Sequence, residues 1–592
     1  MRQWRRPRAV HRPVGRPRGA PGRASMSLTM LAVAVIVILT LGYTLYGKLV
    51  ARQYALDDSV RTPAVQVNDG IDFVPTRRFF LLGQHFSAIA AAGPIAGPII
   101  ACQLFGWGPS LLWIALGVVF IGAVHDFSAL VASVRHRARS VAEIVKENLG
   151  RRAWLAMLVF IWIALVYLII AFADITAATF VGKTQELEGS FAFNPGGAVA
   201  AASTMYLLLA VVMGLVQRKW DPPLWLMTIV FVPATLGVVW LGTRISTVLL
   251  FSQTTWAVVI MVYCFVASVL PVWTLLQPRG YLGGFVLYLA LAIGLVGILF
   301  GGFDIEQPIT TAAPLAGLSG SVLPFLFVTI ACGACSGFHG LVCSGTTSKQ
   351  IAKESDCKPV GYGGMLLEGL VAVIALATIM IVAPEVSKGA APGRVYGDGI
   401  ARFLTVIIGQ GAFLFAATFG AMAFSTFVFD TLDVATRLGR LILQELAGRH
   451  GRTAALAGTA VTATVPALIL VAAGPGGYRT FWTLFGTSNQ LLAALTLLAV
   501  TVWLERQGKR YWFTLAPMLF LMAITLWSLV GQTLQFTRGA LAPKPGVPVV
   551  PQVANALVAV LLFALTAFLV YEASRVVRSP RPTAPTKAAR AA

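Results

Sequence analysis

Ionisable side chains interrupt three long apolar stretches of this sequence. His125 and Asp126 are adjacent in one stretch, Glu368 lies in "MLLEGLVAVIAL", and His339 lies in a third. Charged groups are costly inside a membrane and usually serve a function there, such as relaying protons. We expect Asp126, His125 and Glu368 to carry a coupling proton or to form an inner gate, with structural ion pairs as the alternative. Glu368 is the stronger candidate, because no cation lies next to it in the sequence.

Two further sets of acidic residues favour structural roles. Asp433 and Arg437 are four residues apart, a spacing that brings opposite charges together on one face of a helix. We predict a structural ion pair between them, close to Asp430. Asp174, near the end of another apolar stretch, is expected to make only local contacts.

The segment "AAGPIAGPII" contains two Gly-Pro pairs, Gly93-Pro94 and Gly97-Pro98. Proline removes a helical hydrogen bond, and broken backbone inside a membrane survives only within protein or beside a wet cavity. We predict that these four residues bind substrate, with Pro98 starting a half-helix whose free N–H groups at residues 99–101 face an anion. The alternative is a kink without a ligand. Leucine at both glycines is expected to abolish transport but not folding.

The stretch "IACGACSGFHGLVCSGTTSK" contains further polar candidates. Cys332, Cys335 and His339 share one helix face, yet their intramembrane position and many small neighbours favour helix packing over metal binding. We expect no metal site and no cofactor. Ser336 and His339 are predicted to contact substrate. Three hydroxyl residues either bind a coupling cation or end a helix: Ser344, Thr346 and Thr347.

The composition is that of a membrane protein. The sequence is 57% hydrophobic and 11% charged, against about 25% charged in soluble domains. A membrane-spanning helix needs about 20 apolar residues, and we identify fifteen such runs. They are 28–47, 84–104, 110–134, 153–181, 196–216, 224–241, 253–276, 283–300, 322–343, 361–383, 404–429, 454–473, 480–503, 511–532 and 551–572. We predict an all-α polytopic membrane protein.

The net charge of +22 is explained by the loops and requires no nucleic acid partner. If the loop 48–83 is cytoplasmic and sides alternate, cytoplasmic loops carry 29 Lys and Arg against 8 outside. This asymmetry follows the positive-inside rule and predicts a cytoplasmic C-terminus, with a disordered tail over 577–592. Residues 1–25 contain eight Arg and no acidic residue, yet this assignment places them outside, against the positive-inside rule. We expect translation to begin at Met26; a disordered basic arm is the alternative.

The order of the spans indicates an inverted repeat. Residues 84–241 and 253–429 each contain five spans, so the second set runs opposite to the first, as in many secondary transporters. Pro271 in span 253–276 is predicted to match the prolines of span 84–104 and to line the substrate site. The transport core is expected to cover 26–430, followed by a four-helix region over 431–576.

Several motifs together resemble the carbon starvation protein A (CstA) family. They are "RTPAVQVNDGIDFVPT" (61–76), "GQHFSAIAAAGPIAGP" (83–98), "GAVHDF" (122–127), "PFLFVTIACGACSGFHGLVCSGTT" (324–347), "GYGGMLLEG" (361–369) and "LFGTSNQLLA" (484–493). The resemblance implies an inner-membrane carrier of the amino acid/polyamine/organocation (LeuT-like) type. It implies uptake of peptides or pyruvate during carbon starvation, coupled to protons. One span precedes the "TPAV" loop here, where the longest members have two.

We therefore expect a bacterial multi-pass secondary transporter of the cytoplasmic membrane, embedded in lipid, with a small carboxylate solute, pyruvate or a short peptide, as substrate. The coupling ion, H⁺ or Na⁺, and the oligomeric state stay open. A channel or a nutrient sensor partnered with a signalling protein are the alternatives. An enzyme is not expected, because the sequence contains neither H-E-x-x-H nor G-x-S-x-G.

Overall fold

The computed structural model describes residues 27–70, 72–90, 92–187, 191–311, 322–543 and 548–579. The predictions for residues 1–25 lie outside these residues, as does nearly all of the predicted tail. The helices of the first half are α1 Leu28–Leu41, α2 Gly47–Tyr54, α3 Pro63–Val67, α4 Arg78–Ile89, α5 Gly93–Phe105, α6 Trp107–Gly117, α7 Ala123–Arg135, α8 Val141–Leu149, α9 Arg151–Thr179, α10 Pro195–Trp220, α11 Leu224–Arg244, α12 Gln253–Val269 and α13 Leu276–Phe300.

The helices of the second half are α14 Val322–Thr329, α15 Gly337–Gly345, α16 Gly363–Met380, α17 Pro384–Ser387, α18 Pro392–Ile408, α19 Phe413–Ala447, α20 Arg452–Ala473, α21 Tyr478–Arg506, α22 Trp512–Leu541 and α23 Val549–Arg578. One antiparallel hairpin, β1 Gln185–Leu187 and β2 Phe191–Phe193, lies between α9 and α10. Short π-helical turns join α1 to α2 and α6 to α7 without ending the helix.

Twelve of the described helical segments are long and apolar enough to cross a membrane. The protein is therefore a helical, multi-pass membrane protein, as predicted. Four of the fifteen predicted spans do not form one long continuous helix: 84–104, 253–276, 322–343 and 404–429, the last of which is described below. The first is bent by 47° between α4 and α5, the second contains the 17-residue α12, and the third is split into α14 and α15. The number fifteen stays a prediction.

The first broken helix, α4 followed by α5, differs in detail from the prediction. α4 ends at Ile89 and α5 begins at Gly93, so the break precedes both Gly-Pro pairs. Pro94 lies in the first turn of α5, where its missing N–H costs little, while Pro98 is inside the helix. The N–H groups of residues 99–101 are therefore within α5 and do not begin a half-helix.

The second broken helix is not the predicted one. Helical structure stops after α14 and resumes at α15, with residues 330–336 in irregular conformation. Pro271 was expected to break a span, but it is an exposed residue of the connection between α12 and α13. Leu270 is extended, with ψ 149°, because the residue before a proline avoids the helical region. The proline argument for the inverted repeat therefore fails, and the repeat itself stays a prediction.

The two breaks contact each other through glycines of α5. A Cβ at Gly97 would lie 2.9 Å from the backbone oxygen of Thr329, and a Cβ at Gly93 would overlap the side chain of Cys332. Because glycine has no side chain, α5 can contact the chain at and just after the end of α14. Leucine at both glycines would push the broken helices apart, so the expectation of retained folding is not supported.

The predicted span 404–429 crosses a turn. α18 ends at Ile408, and Gly409 has a φ of 84°, a left-handed conformation that ends the helix. The following helix, α19, continues to Ala447. The predicted domain boundary between residues 430 and 431 therefore falls inside one continuous helix.

Three loops that the charge pattern assigns to the cytoplasm lie together. Arg135 forms an ion pair with Glu354 at 2.9 Å and donates to the backbone oxygen of Tyr54 at 2.9 Å. Thr62 Oγ1 donates to the backbone oxygen of Ile351 at 2.6 Å. These contacts agree with the predicted alternation of sides, and we use the term inner side for this face.

Glycine contacts between the breaks lead to a stability prediction. Gly97→Ala should lower the free energy of unfolding by about 1–3 kcal/mol, because the added methyl group meets backbone that has no room to move. The measurement is the thermal unfolding midpoint of the purified protein in detergent. Gly237→Ala in α11 is the control, because a Cβ there would have no atom within 4 Å. Equal midpoints for both variants would contradict the close contact.

Candidate functional site

Three helices place titratable side chains against one another in the interior. His339 of α15 lies between Asp126 of α7 and Glu368 of α16. Its Nδ1 is 2.9 Å from Asp126 Oδ2, and its Nε2 is 3.0 Å from Glu368 Oε2. The side chains are 0–1% exposed. We call these three residues the buried triad.

His125 extends the triad on the same helix. Its Nδ1 is 2.7 Å from Asp126 Oδ1, so each oxygen of Asp126 faces a different histidine. His125 Nε2 and Glu368 Oε1 are buried without a hydrogen-bond partner among the described residues. The structure thus brings together all three predicted proton-coupling residues, and adds His339, which was predicted to contact substrate.

The geometry of the buried triad requires a shared proton. A neutral imidazole donates from one nitrogen only, yet both nitrogens of His339 face carboxylate oxygens within 3.0 Å. Either His339 is doubly protonated between two carboxylates, or one carboxyl group carries the proton and donates it. His339 Nδ1 is hydrogen-bonded to Asp126, whereas its Nε2 is at ion-pair distance from Glu368 Oε2 without a hydrogen bond. The imidazole and the two carboxyl groups can therefore share one proton.

Glycines on α15 and α16 let these helices approach α7. A Cβ at Gly340 would be 3.4 Å from the ring of His125. Gly361, just before α16, lies against the backbone of α7, where a Cβ would be 2.9 Å from Phe127 Cα. Small residues at helix contacts are typical of membrane proteins, and here they bring the polar side chains within hydrogen-bond distance.

His85 of α4 is a buried residue that the sequence analysis missed. Its Nδ1 is 2.9 Å from Thr347 Oγ1, and its Nε2 is 4.0 Å from Cys343 Sγ. Cys343 in turn donates to the backbone oxygen of Asp126 at 3.5 Å. The position of His85 inside the predicted span 84–104 could have identified it, because an ionisable residue within a span indicates function.

Asn489 of α21 forms hydrogen bonds at the break between α14 and α15. Asn489 Oδ1 accepts from the backbone N–H of Phe338 at 3.0 Å, and its Nδ2 donates to Ser336 Oγ at 3.0 Å. Asn489 therefore caps the first turn of α15 and contacts Ser336, a predicted substrate residue. Sequence analysis missed Asn489, although it lies in the quoted motif "LFGTSNQLLA".

Two tryptophans satisfy the backbone of the same break. Trp482 Nε1 donates to the oxygen of Thr329 at 3.0 Å, and Trp113 Nε1 donates to the oxygen of Ile330 at 3.2 Å. Unpaired carbonyl groups are costly within a membrane, so these bonds permit the irregular backbone.

The hydroxyl residues predicted as a possible cation site have separate partners. Ser344 Oγ donates to the backbone oxygen of Gly340 at 2.7 Å, Thr347 contacts His85, and Thr346 is exposed. Because Ser344 and Thr347 bond different partners and Thr346 is exposed, the structure does not assemble the three hydroxyls around an ion.

The predicted pair Asp433–Arg437 is not formed. Asp433 instead pairs with Arg279 of α13, which also bonds Asp430, and Asp433 accepts from Tyr263 Oη at 2.8 Å. Arg437 donates to two backbone oxygens at the end of α12. Helical spacing suggested the wrong partner because a buried arginine from another helix lies closer to both carboxylates.

Arg279 offers a second stability prediction. Its side chain is fully buried, so Arg279→Leu leaves the carboxylates of Asp430 and Asp433 without their cation. We expect a loss of about 3–5 kcal/mol, seen as a large drop in the thermal unfolding midpoint in detergent. Arg437→Gln is the control and should cost about 1–2 kcal/mol, since only bonds to backbone oxygens are lost. An equal drop in both variants would refute the assigned pairing.

Comparison with known sequences now identifies the family. A sequence model described as "Carbon starvation protein CstA" matches residues 26–394 and 385–528. The chain belongs to the CstA family. The expected resemblance is thereby confirmed, and the buried triad and both breaks lie inside the matched region.

Relatives in the CstA family are named as transporters. The chain is 34% identical to a peptide transporter CstA of Campylobacter jejuni, covering 87% of this chain and 82% of the relative. It is 36% identical to a peptide transporter CstA of Helicobacter pylori, covering 85% and 82%. It is 30% identical to the pyruvate/proton symporter BtsT of Escherichia coli, covering 85% and 81%.

Among solved structures, a mutant of the manganese transporter of Eremococcus coleocola is similar with a TM-score of 0.41 and 14% identity. The match covers 86% of this chain and 99% of that protein.

Proposed function

We propose that this protein is a proton-coupled importer of carboxylate solutes, short peptides or pyruvate, in the bacterial cytoplasmic membrane. Two relatives named as peptide transporters and one named as a pyruvate/proton symporter support this substrate range. The observation that carries the proposal is the contact of His339 with two buried carboxylates, because it supplies a site for one proton within the membrane.

In the proposed mechanism Glu368 is the proton carrier. Neither of its oxygens makes a hydrogen bond with the described residues, although Oε2 is 3.0 Å from His339 Nε2, whereas both oxygens of Asp126 are bonded to histidines. Glu368 can therefore accept a proton without breaking an existing bond. Its protonation would weaken the attraction to His339, which lies in the first turn of α15.

His339 links the proton site to the predicted substrate site. It lies three residues after Ser336, the residue that precedes α15. A solute bound beside the break and a proton bound at Glu368 thus act on the same first turn of α15. We infer that this shared turn couples the two binding events, with the inner side facing the cytoplasm and the C-terminus on that side.

Neutral variants of the two carboxylates test the proton carrier. Glu368→Gln and Asp126→Asn should be reconstituted into liposomes at matched protein levels and assayed with labelled pyruvate and labelled tri-alanine. We expect Glu368→Gln to lose accumulation driven by a pH gradient, by at least about tenfold, while solute exchange continues. Exchange needs no net proton movement, so a variant that is locked neutral still performs it. Asp398→Asn, outside the triad, is the control.

The outcomes separate coupling from structure. Loss of both accumulation and exchange in Glu368→Gln would indicate a structural role. Full accumulation by both carboxylate variants would exclude them as carriers. Replacing Na⁺ by K⁺ should leave uptake by the unmodified protein unchanged, and a requirement for Na⁺ would contradict proton coupling.

A further inference from the structure

A cavity of about 560 Å³ opens on the side opposite the inner loops, between α5, α17, α21, α22 and α23. We call it the outer vestibule. We propose that the outer vestibule is a binding site for a short peptide. Arg479 binds the terminal carboxylate of the peptide, and Thr329 bonds a peptide group of its backbone. This inference rests on the proposed function, because it names the solute and the site at which it is first bound.

Its side chains suit an anionic, amide-rich solute. Two cations, Lys388 and Arg479, line the outer vestibule, and the described lining contains no acidic side chain. Four glutamine side chains also line it: Gln103, Gln307, Gln535 and Gln552. Glutamine amides both donate and accept hydrogen bonds, as peptide groups require, while the two cations favour a carboxylate.

Thr329 also lines the outer vestibule. It is the last residue of α14 and therefore borders the break. Thr329 is 1% exposed, and its Oγ1 has no hydrogen-bond partner among the described residues. A buried hydroxyl without a partner costs free energy, which a peptide group of the solute would recover. The outer vestibule thus leads from solvent to the break.

Arg479 is an exposed residue of the lining whose guanidinium is bonded at two of its three nitrogens. Its Nη2 donates to the backbone oxygen of Gly389 at 2.6 Å and its Nε contacts Tyr478 Oη at 3.4 Å. Nη1 has no partner in the described part of the chain. A guanidinium that is held at two nitrogens loses less freedom when the third binds an anion.

The volume of the outer vestibule, about 560 Å³, favours a peptide over a small acid. Cavities of about 300–1,000 Å³ usually hold ligands of many atoms. A three-carbon acid would leave most of this volume to water.

Equilibrium binding tests the outer vestibule without relying on transport. The full chain in detergent is titrated with labelled tri-alanine, tri-alanine amide and pyruvate in equilibrium dialysis. Arg479→Gln should weaken tri-alanine binding about tenfold, because one charge-assisted hydrogen bond is lost. Thr329→Val should weaken it severalfold and Thr329→Ser should restore it. Arg538→Gln, a basic residue of α22 outside the cavity lining, should bind as the unmodified chain does.

Each result has a defined consequence. The proposal is supported if tri-alanine binds more tightly than tri-alanine amide and if Arg479→Gln weakens its binding. An absence of uptake in liposomes would then contradict the proposed function but not this binding site. Undetectable tri-alanine binding, or binding unchanged by Arg479→Gln and Thr329→Val, would overturn it. Pyruvate binding that equals tri-alanine binding and depends equally on Arg479 would overturn the peptide assignment. Lys388→Gln provides a second variant if Arg479→Gln does not elute as a single species.

Discussion

The contact of His339 with Asp126 and Glu368 is the constraint on which the rest of the site depends. Burying two carboxylates is costly unless a cation or a proton compensates them, so the three side chains must stay together. The glycines of α15 and α16 allow the approach to α7 that this requires. The break before α15 separates the helix that carries His339 from α14.

Broken helices connect this proton site to the outside. The end of α14 carries Thr329, which lines the outer vestibule, and the start of α15 carries His339. Between them lie seven irregular residues, 330–336. Trp113 donates to the backbone oxygen of Ile330 in this segment, while Trp482 and Asn489 bond the flanking backbone at Thr329 and Phe338. A solute that enters from the outer vestibule meets Thr329 at one end of the break, and Ser336 at the other end leads into the turn of α15 that carries His339. This arrangement gives the proposed coupling a short physical path.

Sequence reasoning succeeded where a local property decides the structure. Runs of about 20 apolar residues identified most of the spans, and isolated charges within them identified three residues that the structure brings together around His339. It failed where partners come from distant helices: Asp433 pairs with Arg279 and not with Arg437. It also failed where tertiary contacts open a helix without proline, as at the break capped by Asn489, whereas Pro271 only ends a helix.

The most direct test of the account is proton movement through His339. Proteoliposomes with an internal pH dye are given an inward gradient of tri-alanine or pyruvate, with no pH gradient imposed. The unmodified protein should acidify the lumen with at least one of these solutes, and His339→Gln should not, although its solute exchange persists. Acidification by His339→Gln at the rate of the unmodified protein would contradict the central role of the triad.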